Sequence, residues 1–155
     1  MEGFILPEYT IIRVKEEIAR HYFQKSELLY RFFMAYKYNR HERYLKRQYH
    51  YITKDFSRNT VINQLDIGDV DHINKQGDPF EISSGKNNIA LHVSKKHIRF
   101  CCDTMQDAET LLFIPLRKVY PYLFVVCNDY VNYGWVSPIL DKDQQKRKQV
   151  LYSYT

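Results

Sequence analysis

Residues Tyr9–Phe23, YTIIRVKEEIARHYF, change period midway, and that change decides the fold class. Up to Val14 the run is β-branched and suits a strand, with Pro7 confining its start. From Lys15 onward a helix is expected, with Glu16 and Glu17 in its first turn, where carboxylates meet the positive end of the backbone dipole. The apolar residues of this helix divide between two stripes. Ile18 and Tyr22 lie at i and i+4 on one, Ala19 and Phe23 on its neighbour, so only one stripe can face the middle of a core. A strand running straight into a helix predicts a mixed α/β domain.

Two further helices are expected nearby. In SELLYRFFMAYKY, Ser26 is placed to cap the helix, and Leu28, Leu29, Phe32, Phe33 and Tyr36 recur at three- and four-residue intervals as core positions. From about His41 to Tyr51, HERYLKRQYHY again carries two stripes. Leu45, Tyr49 and Ile52 form the better core stripe. Tyr44, Gln48 and Tyr51 have the same spacing on the other side, flanked by Arg43, Lys46 and Arg47, a composition unusual for a helix face that is merely solvated.

Beyond Lys54 the periodicity fades, and a short helix or turn near Val61–Leu65 is followed by an irregular connection to Pro79. Strands are then expected at about Pro79–Ser83, Asn88–Ser94 and Ile98–Asp103, the last two forming a hairpin about Lys95-Lys96-His97. Thr104 is placed to cap a helix running to about Tyr120, with Asp107 three residues on. Its expected core face is Ala108, Leu111, Leu112, Leu116 and Val119, and Pro115 should kink it. Tyr122–Cys127 and Tyr130–Val136 should pair through a tight turn at Asn128-Asp129, with Trp135 as core support and Pro138 ending the strand. The whole reads as a single compact α/β domain of the α+β kind over residues 1–140. It has a mainly antiparallel sheet of about five strands, the N-terminal helices and one long helix packed on it, and a charged tail, 141–155, expected to fray.

Composition narrows the function classes. The 155 residues include 14 Tyr and carry a net charge of +5. At this length a chain buries roughly 68–70% of its unfolded surface, enough for a full core without staples. Residues 1–58 hold 12 basic and 7 acidic side chains, against 7 and 9 in 59–139, so the positive surplus sits on the helical third. The longest apolar runs, Leu111–Leu116 and Tyr120–Cys127, fall far short of the roughly 20 residues of a membrane-spanning helix. MEGFILPEYT lacks the form of a secretory signal, and three cysteines, two of them adjacent, fit no disulfide framework; a cytosolic location is expected.

Catalytic signatures are sparse. Five scattered glycines assemble neither GxGxxG nor GxxxxGK[ST]. His92, His97, Cys101 and Cys102 are the nearest approach to a metal set, but adjacent cysteines in a strand point to opposite faces and no ligand spacing supports them. A thiol nucleophile built from Cys101, Cys102 or Cys127 would lie in apolar strand segments, where burial holds the thiol protonated. His21 and His50 read as surface or boundary residues. Neither a catalytic residue, a metal nor a cofactor is expected.

The basic helices with interleaved tyrosines admit three readings. They are a solvated face, a nucleic-acid surface with phosphates on Lys37, Arg40, Arg43, Lys46 and Arg47 and bases on the rings, or a protein interface with tyrosine anchors and a basic rim. Here the residues also resemble a known family. KEEIARHYF at Lys15–Phe23, QYHYIT at Gln48–Thr53, DAETLLF at Asp107–Phe113 and YGWVSP at Tyr133–Pro138 are similar, in order and spacing from about Tyr9 to Ile139, to the sporulation inhibitor of replication proteins, SirA. The resemblance implies a cytosolic non-enzyme of endospore-forming bacteria that binds domain I of the replication initiator DnaA as a monomer in a heterodimeric complex. It implies contact with neither membrane nor nucleic acid. Its partner-binding positions fall on Ile18, Tyr22, Gln48 and Tyr51, with Tyr44 and Arg47 expected at the edge. Ile18 stands where the family has an aromatic ring. The resemblance carries nothing over for residues 55–89 or after 140. The competing reading is a nucleic-acid-binding accessory protein using the same helices.

Overall fold

A computed structural model describes residues 6–68, 70–74 and 79–136. Glu8–Val14 (β1) is an interior strand of the sheet. It pairs antiparallel with Ile98–Cys101 (β6) on one side, from Glu8 opposite Cys101 to Ile11 opposite Ile98. On the other side Leu123–Cys127 (β7) runs from Tyr9 opposite Cys127 to Arg13 opposite Leu123. The order across the sheet is β3-β4-β5-β6-β1-β7-β8, where β3 is His72–Asn74, β4 Phe80–Ser84, β5 Asn87–Val93 and β8 Tyr133–Trp135. Thr53–Lys54 (β2) pairs with the end of β1, and every pairing is antiparallel.

The mixed α+β class holds, but among the described residues the sheet has eight strands rather than about five. The additional β2 and β3 are two and three residues long, too short to display a two-residue alternation. The expected tight turn at Asn128-Asp129 is a wider connection, because β8 begins only at Tyr133 and the Cys127 N–H donates to the Asn132 carbonyl at 2.8 Å. The hairpin at Lys95–His97 closes as expected, with Ser94 N–H donating to the His97 carbonyl at 2.9 Å.

β1 is apolar toward both faces, and each face is covered. Tyr9 and Ile11 join a core with Phe80, Ile82, Leu91, Phe100, Leu123 and Val125. That side is closed by Arg58–Asp66 (α4) and by a helical segment made of Met105–Ala108 (α5), a π-helical turn Glu109–Phe113 and Ile114–Arg117 (α6). Thr104 caps α5 as expected, accepting from Asp107 N–H at 3.1 Å. Pro115 neither ends the segment nor stands alone as a kink. Without an N–H, and with its ring pressing on the carbonyl four residues back, it is accommodated by the wider π turn just before it. Ala108, Leu111, Leu112 and Leu116 are buried as expected, whereas Val119 lies past the end of α6 and is exposed.

On the opposite face Ile12 and Val14 join Phe124, Trp135 and the inward residues of three helices, Glu16–Tyr22 (α1), Ser26–Tyr38 (α2) and Arg43–Ile52 (α3). Aromatic edges set their positions. Phe33 of α2 meets Tyr49 of α3 at 5.9 Å and Phe124 at 5.7 Å between ring centroids. Trp135, fully buried, packs on Phe124 and donates its indole N–H to the Phe23 carbonyl at 3.2 Å, which ties the turn after α1 to the sheet. Ser26 begins α2 but does not cap it; it is a buried first residue, and Lys25 occupies the cap position. Leu28 departs from its expected core place, being 51% exposed. Leu29 and Phe33 point into the bed formed by Phe124, Ile12 and Trp135, and a residue one position earlier is rotated about 100° away from it. The expected tail and the end of its strand at Pro138 lie outside the described residues.

These placements separate two truncations, at Phe33 and Leu28, that the sequence pattern treats alike. Phe33→Ala should lower unfolding free energy by about 3–5 kcal/mol, and Leu28→Ala should change it by no more than about 0.5 kcal/mol. Urea denaturation followed by circular dichroism measures both; equal losses would contradict the packing described.

Candidate functional site

The two helices that carry the second stripes meet at their ends. The Lys15 N–H donates to the Ile52 carbonyl at 2.9 Å, and Val14 pairs with Thr53, so the start of α1 abuts the end of α3. Across this junction the Lys15 ammonium sits 4.0 Å from the centroid of the Tyr51 ring, a cation–π contact. Lys15 is the extended residue just before α1, so the Tyr51 ring is brought to the start of the helix that carries Ile18 and Tyr22.

The stripes themselves divide as their spacing predicts. On α3, Leu45 and Tyr49 are buried while Tyr44 and Tyr51 are 61% and 63% exposed, with Gln48 and Arg47 exposed beside them. On α1, Ala19 and Phe23 are buried, and Ile18 and Tyr22 are half-buried, their inner edges packed against the helical core. Tyr22 is further held by an edge contact with His21, 4.8 Å between centroids. The result is an apolar and aromatic surface with a cationic border of Arg43, Lys46 and Arg47, all exposed. Sequence reasoning missed Lys15, whose position three residues before Ile18 was the available signal.

Buried contacts fix the orientation of α3, and hence of its outer stripe. Tyr49 stacks on Tyr36 of α2 with centroids 4.2 Å apart, and its hydroxyl donates to the Lys96 carbonyl at 3.3 Å. Burial holds the Tyr49 phenol protonated, its pKa raised above the ordinary tyrosine range. The Thr53 hydroxyl donates to the Tyr49 carbonyl at 2.6 Å, and Lys96 Nζ donates to the Thr53 carbonyl at 3.3 Å while pairing with Asp55 at 2.9 Å. Asp55 is held below the usual carboxylate range by that lysine.

The groups considered for catalysis are set apart from this surface. Cys102 is buried in the opposite core, and burial, with Asp107, Cys101 and Asp103 nearby, pushes its thiol up to about 12. Cys101 lies beside Glu8 and His92 on the other side of the sheet, where burial followed by the Glu8 and Asp129 charges again raises the thiol pKa. Both shifts oppose thiolate formation, the reverse of what a cysteine nucleophile needs. Cys127 is buried. Among the described residues no three His, Cys, Asp or Glu side chains gather as metal ligands, and no helix is long and apolar enough to cross a membrane. His97 is instead pushed down to about 4, by burial first and then by the charges of Arg99 and Arg40, with His92 adding to the effect and Glu8 opposing it.

Comparison with known proteins gives one family. The family model described as "Sporulation inhibitor of replication protein SirA" matches residues 7–140. A curated protein with the same description, from Bacillus subtilis (strain 168), is 25% identical over 146 residues, which cover 87% of this chain and 95% of that protein.

The low pKa of His97 fixes the sign of one pH effect. In the unfolded chain this imidazole takes up a proton near pH 6.5, whereas in the folded protein it does so only near 4. The stability that comes from keeping it neutral is therefore complete above pH 6.5 and is lost as pH falls toward 4. Urea midpoints measured from pH 7 to 4 should fall more steeply for the wild type than for His97→Asn; parallel curves would show that another group is responsible.

Proposed function

Because the chain belongs to the SirA family of sporulation inhibitor of replication proteins, we propose that it inhibits the initiation of DNA replication during sporulation by binding domain I of the initiator DnaA. It acts in the cytoplasm, stoichiometrically and without catalysis. An occupied domain I is closed to the regulators and other DnaA copies that assemble with it at the origin. The observation that supports this most is the Lys15–Tyr51 contact, which brings the end of α3, with its exposed Tyr44-Gln48-Tyr51 stripe, to the start of α1, the helix that carries half-buried Ile18 and Tyr22.

The physical character of the face fits a protein partner. Tyrosine offers large apolar area with only two side-chain torsions to freeze, and Ile18 and Tyr22 are already held from behind by the core. Gln48 can donate and accept across the interface at once. Arg43, Lys46 and Arg47 form the rim, where charge speeds encounter and sets orientation more than it adds affinity. Ile18 retains apolar contact at a position where the family resemblance places a ring.

The test is binding of isolated DnaA domain I to the folded chain by titration calorimetry or pull-down. Tyr22→Ala and Tyr51→Ala should each weaken binding about 30-fold, equivalent to about 2 kcal/mol. Wild type that binds no better than either variant, with all proteins folded, would reject the assignment. Retention on DNA that falls steeply with salt would replace it with the nucleic-acid reading.

A further inference from the structure

Beside the core that seats α2 and α3, between these helices and the sheet, a cavity of about 320 Å³ opens. This is the lower end of the range of about 300–1,000 Å³ in which small-molecule sites fall. Its apolar part is Ile12, Phe33 and Val126; its charged part is Lys37, Arg40, Lys96 and Arg99, with a single lining carboxylate, Glu8. These residues come from β1, β6, β7, α2, the connection after α2 and the β5–β6 hairpin, so the tertiary fold, and no local motif, gathers the cations. Like charges are brought together at a cost in folding free energy, and here the fold bears that cost around a hollow.

Several of the charges are already matched. Asp55 pairs with Lys96 at 2.9 Å, and the Glu8 carboxylate, which accepts from Asn128 Nδ2 at 2.8 Å, offsets one more cation. Lys37 Nζ donates only to a neutral carbonyl, that of Asn128, at 3.1 Å. Among the described residues neither Arg40 nor Arg99 forms an ion pair. Two positive charges are thus left over, with two guanidinium forks to carry them. That charge and those donors suit a phosphomonoester dianion, which accepts paired N–H bonds from arginine.

We propose that this cavity binds a small organic phosphate of mononucleotide size, its phosphate held by Arg40 and Arg99 and its apolar body lying against Ile12, Phe33 and Val126. The site lies behind α3, on the side of Tyr49 and His50, and shares no residue with the face assigned to DnaA. It therefore stands or falls independently of that assignment. His97, whose protonation Arg99 and Arg40 oppose in the empty cavity, reports the arrival of an anion between them.

Adenosine monophosphate is the probe, titrated calorimetrically into the full chain at low salt, with adenosine, inorganic phosphate and a ten-nucleotide oligothymidylate as parallel arms. Saturable one-to-one binding of the monophosphate is expected, with adenosine silent and inorganic phosphate at least tenfold weaker. Arg40→Glu and Arg99→Glu, both exposed substitutions that should leave the circular dichroism spectrum unchanged, should each lower affinity roughly tenfold or more. In histidine-resolved NMR the His97 pKa should rise from about 4 when the monophosphate is present. Absence of saturable binding, binding unaffected by either arginine reversal, inorganic phosphate as tight as the monophosphate, or binding confined to the oligonucleotide would each overturn the proposal.

Discussion

The layering of this structure follows from an interior strand, β1, that is apolar on both sides. Successive residues of β1 send Tyr9 and Ile11 to one face and Ile12 and Val14 to the other, and all four are buried. A strand of this kind is stable only if both faces are covered and both edges are paired. The first condition calls for a helical layer on each side, and the second draws β6 and β7 to its flanks. The two layers then differ in what they can offer. The α4, α5 and α6 side closes a fully apolar core, whereas α1, α2 and α3 lie on a narrower bed and keep part of their aromatic surface in contact with water.

That difference explains which residues could be read in advance. Wherever an amphipathic helix has one clear bed, spacing divides its residues into stripes; on α3 composition picks the buried one, Leu45 and Tyr49 against Tyr44, Gln48 and Tyr51, whereas on α1 only the packing shows that Ala19 and Phe23 are buried and Ile18 and Tyr22 half-buried. It fails at the margins of a bed, as at Leu28, whose exposure depends on the width of the Phe124 and Trp135 platform and not on its own neighbours. It fails again for β2 and β3, which are strands because of what they lie beside. The π turn before Pro115 is a further case. Proline announces a disturbance of the helix, but the form of the accommodation depends on how tightly Leu111, Leu112 and Phe113 are gripped by the core. The pairing of Lys15 with Tyr51 and the gathering of Arg40 with Arg99 were illegible for the same reason, since each joins segments far apart in the chain.

The surplus of tyrosine, ambiguous as composition, resolves into distinct physical uses. Tyr49 and Tyr36 stack as structural plates, and the Tyr49 hydroxyl reaches the β5–β6 hairpin. Tyr9 lies flat on Phe100 at 5.3 Å, and its hydroxyl shares a hydrogen bond with that of Tyr130 at 2.9 Å. Tyr30 stacks on Tyr133, binding α2 to β8. On the helices Tyr38, Tyr44 and Tyr51 are exposed and Tyr22 is half-buried. Because the same helices carry plates inward and rings outward, the outer set inherits the rigidity of the inner one, and a preorganised face loses less entropy when it is covered.

β1 is also the first of the described strands, while its two long neighbours come late: Glu8 is paired with Cys101 and Arg13 with Leu123. During synthesis β1 therefore leaves the ribosome well before either neighbour exists, and α1 to α3 emerge before Phe124 and Trp135, the platform on which they rest. Contacts of such long sequence separation slow folding and defer it. A nascent or truncated chain lacking β7 and β8 would hold the sequence of the tyrosine face without the bed that orders it. The order of the tyrosine face thus depends on segments made more than eighty residues after it begins, a property of the topology.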